Sequence, residues 1–444
     1  MTKRKFYAIG FIIIIAFFGI SSILIFYFGL YPIPHKQVIE WQKTWGGSDN
    51  DILHKMVVDS TGYFYIGGET WSYGKGSSDL LLVKMNKTFS QYTTWGGTES
   101  EKFGGMVIDS NESIYIAGST SSYGAGEDDV ILLKYNKNLT LEWNRTWGEN
   151  SSDLCLGITI DSLDNIYLTG ITNSPNYDVF LAKYNYSGNI QWNKTWSTED
   201  NNITEKVSSI LIDSSDHIFL GVNTNVTGAE WIMVKYDSSG ILLLNTSYNK
   251  FTPLELLVSD SSDNVYAVGS YNDTYFSKFD NYGNLVWNFT CIQNTLRSTE
   301  VLAIDSSDNI YIAGSELLNI SVILYGYNIS DYDTYLMKFN ATGILEWNFT
   351  LVGDNNRYPE ILTFDSLGNV YLGGSLELIA TKDLDVFIQI FDPSGSLLRN
   401  IGGGWEGDAY CRGIYAETPQ SFIVAENTPR LDGWDYEIIL TKYI

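Results

Sequence analysis

The segment "IDSSDNIYIAGS" at residues 304–315 recurs along the chain with few changes. Close copies are "IDSNESIYIAGS" at 108–119, "IDSLDNIYLTGI" at 160–171 and "FDSLGNVYLGGS" at 364–375. Its acidic residue marks eight anchor positions, at gaps of 45 to 60 residues: Asp59, Asp109, Asp161, Asp213, Asp260, Asp305, Asp365 and the degenerate Glu417. A period near 50 residues that contains several short β-segments is typical of propeller blades.

Each unit has the pattern of four β-strands. The first is apolar and ends at the anchor acid, and the second follows a turn of Asp, Ser, Gly and Asn residues. The third runs from an acid to a lysine five residues later, as from Asp129 to Lys134, and the fourth follows a glycine turn, as in "ATGILEWNFT" at 341–350. Strands that are apolar on both sides need cover on both faces, which stacked blades supply.

The two ends of the chain predict how the ring closes. "EWQKTWGG" at 40–47 is a fourth-type strand that precedes the first unit, whereas "ILTKYI" at 439–444 is a third-type strand with no fourth after it. Pairing the N-terminal strand with residues 437–443 would complete the last blade and remove exposed sheet edges. We therefore predict an all-β, eight-bladed propeller of four-stranded blades over residues 41–444, with a seven-bladed ring as the alternative.

The recurring "D-S-x-x-N-I-Y-I-A-G-S", followed by "D-x-x-L-x-K-Y-N" and "G-x-L-x-W", resembles SBBP-type β-propeller repeat proteins over residues 41–444. That family is commonly described as seven-bladed. The resemblance implies a secreted or surface propeller and no defined activity, so no catalytic residues carry over. The "G-x-L-x-W" strand also looks like quinoprotein-type repeats, which are often eight-bladed. Their dehydrogenases would imply vicinal cysteines at the cofactor site, and Cys155, Cys291 and Cys411 are far apart.

The N-terminus predicts a membrane anchor. Lys3, Arg4 and Lys5 precede an uncharged run over residues 6–30. Twenty-five helical residues reach about 37 Å, which exceeds the roughly 30 Å hydrocarbon core of a bilayer. We predict a cytoplasmic tail at 1–5, a transmembrane helix at 6–30 and a Pro-containing linker at 31–40, with everything after it extracellular. A secretory signal is the alternative, although its apolar region is normally shorter.

Candidate glycosylation sites agree with an extracellular location. About 5–6 N-x-S/T sequons would arise by chance, and duplication of one repeat position adds others. The three cysteines form no disulfide framework. The sixteen sequons begin at Asn86, Asn111, Asn138, Asn144, Asn150, Asn185, Asn193, Asn202, Asn225, Asn245, Asn272, Asn288, Asn319, Asn328, Asn340 and Asn348.

The sequence offers no catalytic or metal signature. The histidines His35, His54 and His217 lack the partners of a triad or a zinc site. The "DSSD" turns that begin at Asp213 and Asp260 raise the question of Ca²⁺, but they lack the spacing that converges oxygens on one ion. We interpret these aspartates as acceptors of backbone N–H groups. No cofactor and no enzymatic activity are expected, and the net charge of −25 argues against nucleic acid as a partner.

A ring of third-strand acids allows two interpretations, a cation-attracting rim or, as we favour, carboxylates that fix the preceding loops. An acid cannot pair with the lysine of its own strand, because residues five apart point to opposite faces. The acids are Asp79, Asp129, Asp178, Glu230, Asp273, Asp333, Asp385 and Glu437.

Irregular loops are better candidates for binding than regular repeats. The loops between second and third strands and the links between blades should share one face, which carries aromatic residues beside acids. Flat rings and carboxylates suit sugar or protein recognition, although several of these rings would alternatively pack between blades. The predicted ligand-binding face consists of Trp71, Tyr73, Tyr123, Tyr325, Tyr327 and Trp405 with Glu99, Glu101 and Asp128.

These features together suggest a single-pass, glycosylated cell-surface propeller. As a hypothesis, it acts as a binding or adhesion scaffold for a surface protein or glycan. A structural component of the cell envelope and a polysaccharide-active enzyme are the alternatives.

Overall fold

The computed structural model describes residues 38–173, 177–198, 203–225, 231–248, 253–270, 273–292, 297–324, 327–351, 355–378, 383–402, 408–429 and 435–444. Among these residues, thirty-two β-strands form eight antiparallel four-stranded sheets. The first strand is β1 (Ile39–Trp45).

Blades one to four follow β1 in chain order. Their strands are β2 (Asp51–Val58), β3 (Phe64–Thr70), β4 (Asp79–Met85) and β5 (Ser90–Trp95); β6 (Glu101–Ile108), β7 (Ile114–Thr120), β8 (Asp129–Tyr135) and β9 (Leu141–Trp147); β10 (Asp153–Ile160), β11 (Ile166–Asn173), β12 (Tyr177–Tyr184) and β13 (Ile190–Trp196); β14 (Glu205–Ile212), β15 (Ile218–Thr224), β16 (Trp231–Tyr236) and β17 (Leu242–Tyr248).

Blades five to eight complete the chain. Their strands are β18 (Leu254–Ser259), β19 (Val265–Ser270), β20 (Thr274–Phe279) and β21 (Leu285–Ile292); β22 (Arg297–Ile304), β23 (Ile310–Leu324), β24 (Tyr327–Phe339) and β25 (Leu345–Leu351); β26 (Asn356–Phe364), β27 (Val370–Glu377), β28 (Leu384–Phe391) and β29 (Leu397–Gly402); β30 (Tyr410–Thr418), β31 (Ser421–Pro429) and β32 (Tyr436–Tyr443).

The sheets form a closed ring of eight blades. Each blade's first strand contacts the first strand of the next blade, and β30 of the last blade contacts β2 of the first. The eight first strands therefore enclose the axis, and the fourth strands lie outermost. The eight-bladed prediction is confirmed, and the seven-bladed alternative does not hold.

The predicted closure of the ring is also confirmed. The last sheet has the order β1-β32-β31-β30, so the N-terminal strand is its outermost member. Trp41 pairs with Lys442 in this sheet, as Trp143 pairs with Lys134 in blade two. Closure leaves no blade with a missing strand, so no first or fourth strand lacks its sheet partner.

The middle strands of each blade are buried because neighbouring blades cover both of their faces. Every residue of β4 and of β8 is buried, whereas the outermost β9 alternates between exposed and half-buried residues. Between blades one and two, Tyr65, Leu80 and Ile116 belong to one apolar cluster. Burial on both faces explains why these strands are continuous apolar runs.

The ring has two faces that differ in their loops. The top face carries the links between blades and the loops between second and third strands, and Ser77 N donates to Glu99 O between two such segments. The bottom face carries the turns between first and second strands and between third and fourth strands. Val38 lies at the bottom face, since Ile444 N donates to Val38 O at 2.9 Å where the last third-type strand ends.

No helix long and apolar enough to span a bilayer occurs in the part of the chain that the structure describes. The predicted anchor at 6–30 lies outside that part.

The anchor aspartates hold the bottom turns together, as predicted. Asp161 Oδ1 accepts the N–H groups of Leu163 and Asn165 at 3.0 and 2.8 Å. Its Oδ2 accepts the Tyr167 hydroxyl at 3.0 Å and lies 3.3 Å from Lys183 Nζ. The third-strand lysine thus pairs with the acid of the first strand and not with that of its own strand. Burial raises the pKa of Asp161, but these hydrogen bonds and Lys183 outweigh it, so the pKa is lowered overall.

Candidate functional site

Every first strand contains a β-bulge at the same place, one residue wide. The extra residue lies five positions before the anchor residue of its repeat. Since the first strands enclose the axis, these eight residues line the central channel, and a bulge turns such a side chain out of the normal strand alternation. We call them the bulge column: His54, Gly104, Leu156, Ser208, Glu255, Glu300, Glu360 and Arg412.

The bulge column is charged on one side of the channel. Glu255, Glu300 and Glu360 come from three consecutive blades, and Arg412 of the next blade places Nη1 at 3.0 Å from Glu360 Oε2. The opposite side carries the smaller or less charged residues of blades one to four. There Leu156 is 42% exposed, which shows that solvent reaches the channel wall. The wall around the axis therefore contains an arc of three acidic residues and one arginine, which come from four consecutive blades.

Each glutamate of this arc is held through one oxygen by a serine on the second strand of its own blade. Ser270 Oγ donates to Glu255 Oε1 at 2.6 Å, and Ser315 Oγ donates to Glu300 Oε1 at 2.9 Å. Ser375 Oγ makes the same bond to Glu360. The other oxygens of Glu255 and Glu300 are buried and accept no hydrogen bond from the described residues. These carboxyl groups are oriented but retain hydrogen-bonding capacity.

Burial favours the protonated, uncharged form of the three glutamates in the arc. Burial, with the neighbouring carboxylate charge, raises the pKa of Glu255 and of Glu300 to about 7. Burial also raises the pKa of Glu360, even though Ser375 and Arg412 favour its charged form. A carboxyl group with a pKa near 7 exchanges its proton at physiological pH. The arc can therefore both donate and accept hydrogen bonds at neutral pH.

Two aromatics of the predicted ligand-binding face hold the links between blades. The Tyr73 ring lies 5.3 Å from the Trp45 ring, and its hydroxyl donates to Gly46 O at 3.1 Å. Tyr123 repeats this arrangement on Trp95, with ring centroids 5.2 Å apart. These tyrosines therefore have a packing role at the top face.

Two of the four remaining aromatic residues of the predicted face, Trp71 and Tyr327, belong to the described part of the chain. Trp71 is 36% exposed on the top face and stays available to a ligand. Tyr327 begins β24. Tyr325 and Trp405 lie outside the described residues.

The three acidic residues of the predicted face differ in burial, from the exposed Glu99 to the buried Glu101. Glu99 is exposed. Asp128 receives hydrogen bonds from Ser121 Oγ at 2.6 Å and Lys102 Nζ at 3.2 Å. Glu101, expected beside exposed rings, is instead fully buried and accepts the Thr120 hydroxyl at 2.9 Å, because it is the first residue of an innermost strand. Burial raises the pKa of Glu101.

Two of the third-strand acids, Asp79 and Asp129, fix the loops that precede them. Asp79 Oδ2 accepts the N–H groups of Lys75 and Gly76 at 2.9 and 3.1 Å. Asp129 makes the equivalent bonds in blade two. The loop-fixing interpretation is confirmed for these two residues.

The described part of the chain contains few residues that could bind a metal ion or take part in redox chemistry. No group of three or more His, Cys, Asp and Glu side chains there is arranged to hold a metal ion. Cys155 and Cys411 are free and buried at the same position of their repeats, directly before the bulge.

Sequence reasoning missed the bulge column, although its signal is present in the printed sequence. The residue five positions before each anchor changes from His, Gly, Leu and Ser in the first four repeats to Glu, Glu, Glu and Arg in the last four. A repeat position that varies in chemistry while its neighbours stay constant is the pattern that could have revealed it.

Comparisons with known proteins support the fold. No protein-family model matches the sequence, and no curated protein sequence matches it, so the resemblance to SBBP-type repeats stays a prediction. Among solved structures, the Dos1 propeller is 10% identical and has a TM-score of 0.57, covering 92% of this chain and 95% of its own. The fold and this likeness together define the protein as a β-propeller.

Two lyase structures are also similar at lower scores. Virginiamycin B lyase from Staphylococcus aureus is 12% identical, with a TM-score of 0.47 over 75% of this chain and 95% of its own. A polysaccharide lyase of family PL25, an ulvan lyase, is 11% identical, with a TM-score of 0.43 over 74% of this chain and 80% of its own. Identities this low carry no information on activity.

Proposed function

We propose that the protein is a membrane-anchored extracellular scaffold that binds a protein or glycan partner at the channel and its top face. The observation that carries this proposal is the charged arc of the bulge column, which breaks the regularity of an otherwise repetitive ring. Its residues are oriented by serines, yet two of its carboxyl groups keep an unused oxygen. A rigid ring that presents such groups is suited to recognition without a large ordering cost.

The chemistry of the arc suits two kinds of partner group. Carboxylates accept hydrogen bonds from sugar hydroxyls or from a basic side chain, and Arg412 supplies donors beside them. Trp71 adds an exposed ring on the top face, where flat contact area favours sugars and protein loops. The strongly acidic surface, with a net charge of −25, favours a partner that carries basic groups.

A cross-linking pull-down from a surface extract of the native cell tests this proposal with the full chain. We expect a distinct protein or glycan to be recovered and to be lost with Glu300→Gln or Arg412→Gln. The control is Glu142→Gln, which changes an acid on an outer strand. If the channel variants still recover the partner and Trp71→Ala does not, the binding site lies on the top face alone. Recovery of the chain itself only would favour a structural role in the cell envelope.

The extracellular location rests on the sequence, through residues 6–30 and the sixteen sequons. Resistance to alkaline carbonate extraction tests the anchor, and a mass decrease after glycosidase treatment tests the sequons. A chain that carbonate releases from membranes would contradict the anchor.

A polysaccharide-active enzyme is the second candidate, and the raised pKa of Glu255 and of Glu300 favours it. A carboxyl group with a pKa of about 7 suits general acid or base catalysis at neutral pH. The test is activity on a panel of polysaccharides, with Glu300→Gln expected to abolish it while the unfolding curve is retained. If the parent chain shows no activity on any acidic, neutral or basic polysaccharide of the panel, the result argues against an enzymatic function.

A further inference from the structure

Among the residues that the structure describes, the most exposed large apolar side chains lie at the bottom face. Each of them is 54 to 75% exposed, and each lies in a bottom turn or at the bottom end of an outermost strand. We call them the bottom apolar set: Val38, Leu163, Tyr186, Ile241, Tyr282, Val286, Ile344 and Leu367. On the top face, the described large apolar residues reach lower values, with Tyr123 and Tyr177 both at 45%.

The fold does not require these side chains. Leu163 and Leu367 occupy the turn position that holds Ser215, Ser262 and Ser307 in other repeats. The serine-containing turns make the same hydrogen bonds to their anchor aspartates as the leucine-containing ones. One exposed leucine is ordinary, but several exposed apolar side chains on the same face of the ring form the kind of surface that contacts a partner or a membrane.

The third-to-fourth-strand turns show the same substitution pattern. Tyr282 stands where Ser239 and Thr342 occur in other blades, and Ile344 stands where Ser396 occurs. The turn geometry is again preserved, since the first residue of each turn accepts the same backbone N–H groups. The apolar residues are therefore additions to a turn that forms without them.

The chain itself indicates which surface covers the bottom apolar set. The described ring begins with Val38 at the bottom face, and only the seven residues 31–37 separate Val38 from the apolar run 6–30. Eight extended residue steps span at most about 29 Å. If residues 6–30 cross a bilayer, Val38 lies within about 29 Å of the end of the segment that crosses it.

We propose that the bottom apolar set rests on the lipid surface of the membrane that anchors the chain, which orients the channel mouth and top face outwards. This inference rests on the anchor of the proposed function. Leucine and isoleucine enter the interfacial region, and tyrosine suits it through its apolar ring and polar tip. Asp280 and Asp392 in the same turns make this face acidic, so zwitterionic lipids fit it better than anionic lipids.

Photo-cross-linking of the full chain in phosphatidylcholine vesicles tests the inference. A photoreactive phenylalanine analogue replaces Leu163, Tyr282, Ile344 or Leu367 singly, and the controls carry it at Tyr123 or Tyr177 on the top face. Mass spectrometry then counts lipid adducts. We expect several-fold more adducts at the bottom positions than at the top ones, and fewer adducts when phosphatidylserine replaces half of the lipid.

A second variant separates contact from mere proximity. Leu163→Ser with Leu367→Ser copies the serine of sibling turns and should fold normally. We expect lipid adducts from the probe at Tyr282 to decrease in this variant, whereas Leu156→Ser in the channel should leave them unchanged. Unchanged adducts in the double variant would contradict a role for these leucines in membrane contact.

The outcomes distinguish this inference from the anchor on which it rests. A chain that carbonate extraction releases from the vesicles refutes the anchor, and this inference fails with it. A chain that resists extraction but forms no more lipid adducts at bottom positions than at top positions refutes the inference alone. Adducts to a second copy of the chain would instead assign the bottom face to self-association.

Discussion

Two kinds of carboxyl group, in the bottom turns and in the channel, differ in how well the protein satisfies them. Asp161 in a bottom turn accepts bonds through both oxygens and has a lowered pKa. Glu300 in the channel receives serine hydroxyls on one oxygen only and has a pKa of about 7. An aspartate at the position of Asp161 recurs in seven repeats, whereas a glutamate at the position of Glu300 occurs in three. In this protein, repetition marks the scaffold and deviation marks the candidate site.

The largest expected effect comes from opening the scaffold that both groups share. Deletion of residues 435–444 removes β32, the strand that joins β1 to the last sheet. We expect no cooperative thermal unfolding by circular dichroism, because one blade loses half of its strands. Deletion of Ile444 alone is the control and should leave the transition in place. A truncated chain with native-like cooperativity would contradict the closed ring.

The substitution Asp161→Ala is expected to lower the stability of the protein by less than this deletion does. The change leaves two backbone N–H groups without an acceptor, and it leaves Lys183 and the Tyr167 hydroxyl without their carboxylate. We expect the free energy of unfolding to fall by about 3 kcal/mol, measured by chemical denaturation. Asp392→Ala, at a more exposed turn, is the control and should cost less.

The pH dependence of that loss follows from the lowered pKa of Asp161. Its stabilisation is present above the pKa of the unfolded chain and is lost as the pH falls through the lower pKa of the folded state. The parent and Asp161→Ala should therefore converge in acid. A difference that stays constant down to the lowest accessible pH would contradict the assignment.

Glu426 is a buried carboxyl group whose pKa is shifted in the opposite direction from that of Asp161. It is fully buried, neither of its oxygens has a hydrogen-bond partner among the described residues, and burial raises its pKa to about 8. The folded state therefore holds a proton that the unfolded chain releases near 4.5, and stability falls as the pH rises from 4.5 to 8. Glu426→Gln should lack this pH dependence, so its free energy of unfolding should rise relative to that of the parent between pH 4 and pH 8. Parallel denaturation curves at both values would refute this.

The smallest expected effect concerns Glu300. Its raised pKa predicts that stability falls as the pH rises from 4.5 to about 7, and Glu300→Gln should remove that component, about 1 kcal/mol. Thermal unfolding at pH 5 and pH 8 measures it. The exposed Glu99→Gln is the control and should show the parent's pH dependence. An unchanged pH dependence in Glu300→Gln would place this carboxyl in water rather than in a desolvated channel wall.

The fold was predictable because repetition and chain ends constrain it strongly. The spacing of the anchor acids indicated the blade number, and the unpaired fourth-type strand around Trp41 indicated the closure. Blade one differs in register, since Gln91 pairs with Lys84 at the place where most other blades pair a tryptophan with the third-strand lysine. Blade one lacks the extra residue that other blades insert before this strand, so its register could not be inferred from theirs.

The site was harder to predict because side-chain direction in loops does not follow from sequence period. Tyr73 and Glu101 were both assigned to the predicted ligand-binding face, yet one packs on Trp45 and the other is buried. The bulge column had a visible signal, but two-residue strand alternation assigns its residues to the wrong face. The extra residue of each bulge shifts the direction of its side chain, and the strand period does not show that shift.

The composite last blade also determines when the protein can finish folding. β1 is among the first strands to leave the ribosome, and its partner β32 is the last, roughly 400 residues and some 20 to 80 s later at ordinary rates of synthesis. Throughout that interval the ring is open, and β1 presents an unpaired edge to other chains. An unpaired edge of this kind is a template for pairing with another chain, so the unfinished ring is the form of the protein in which strand-to-strand association is expected.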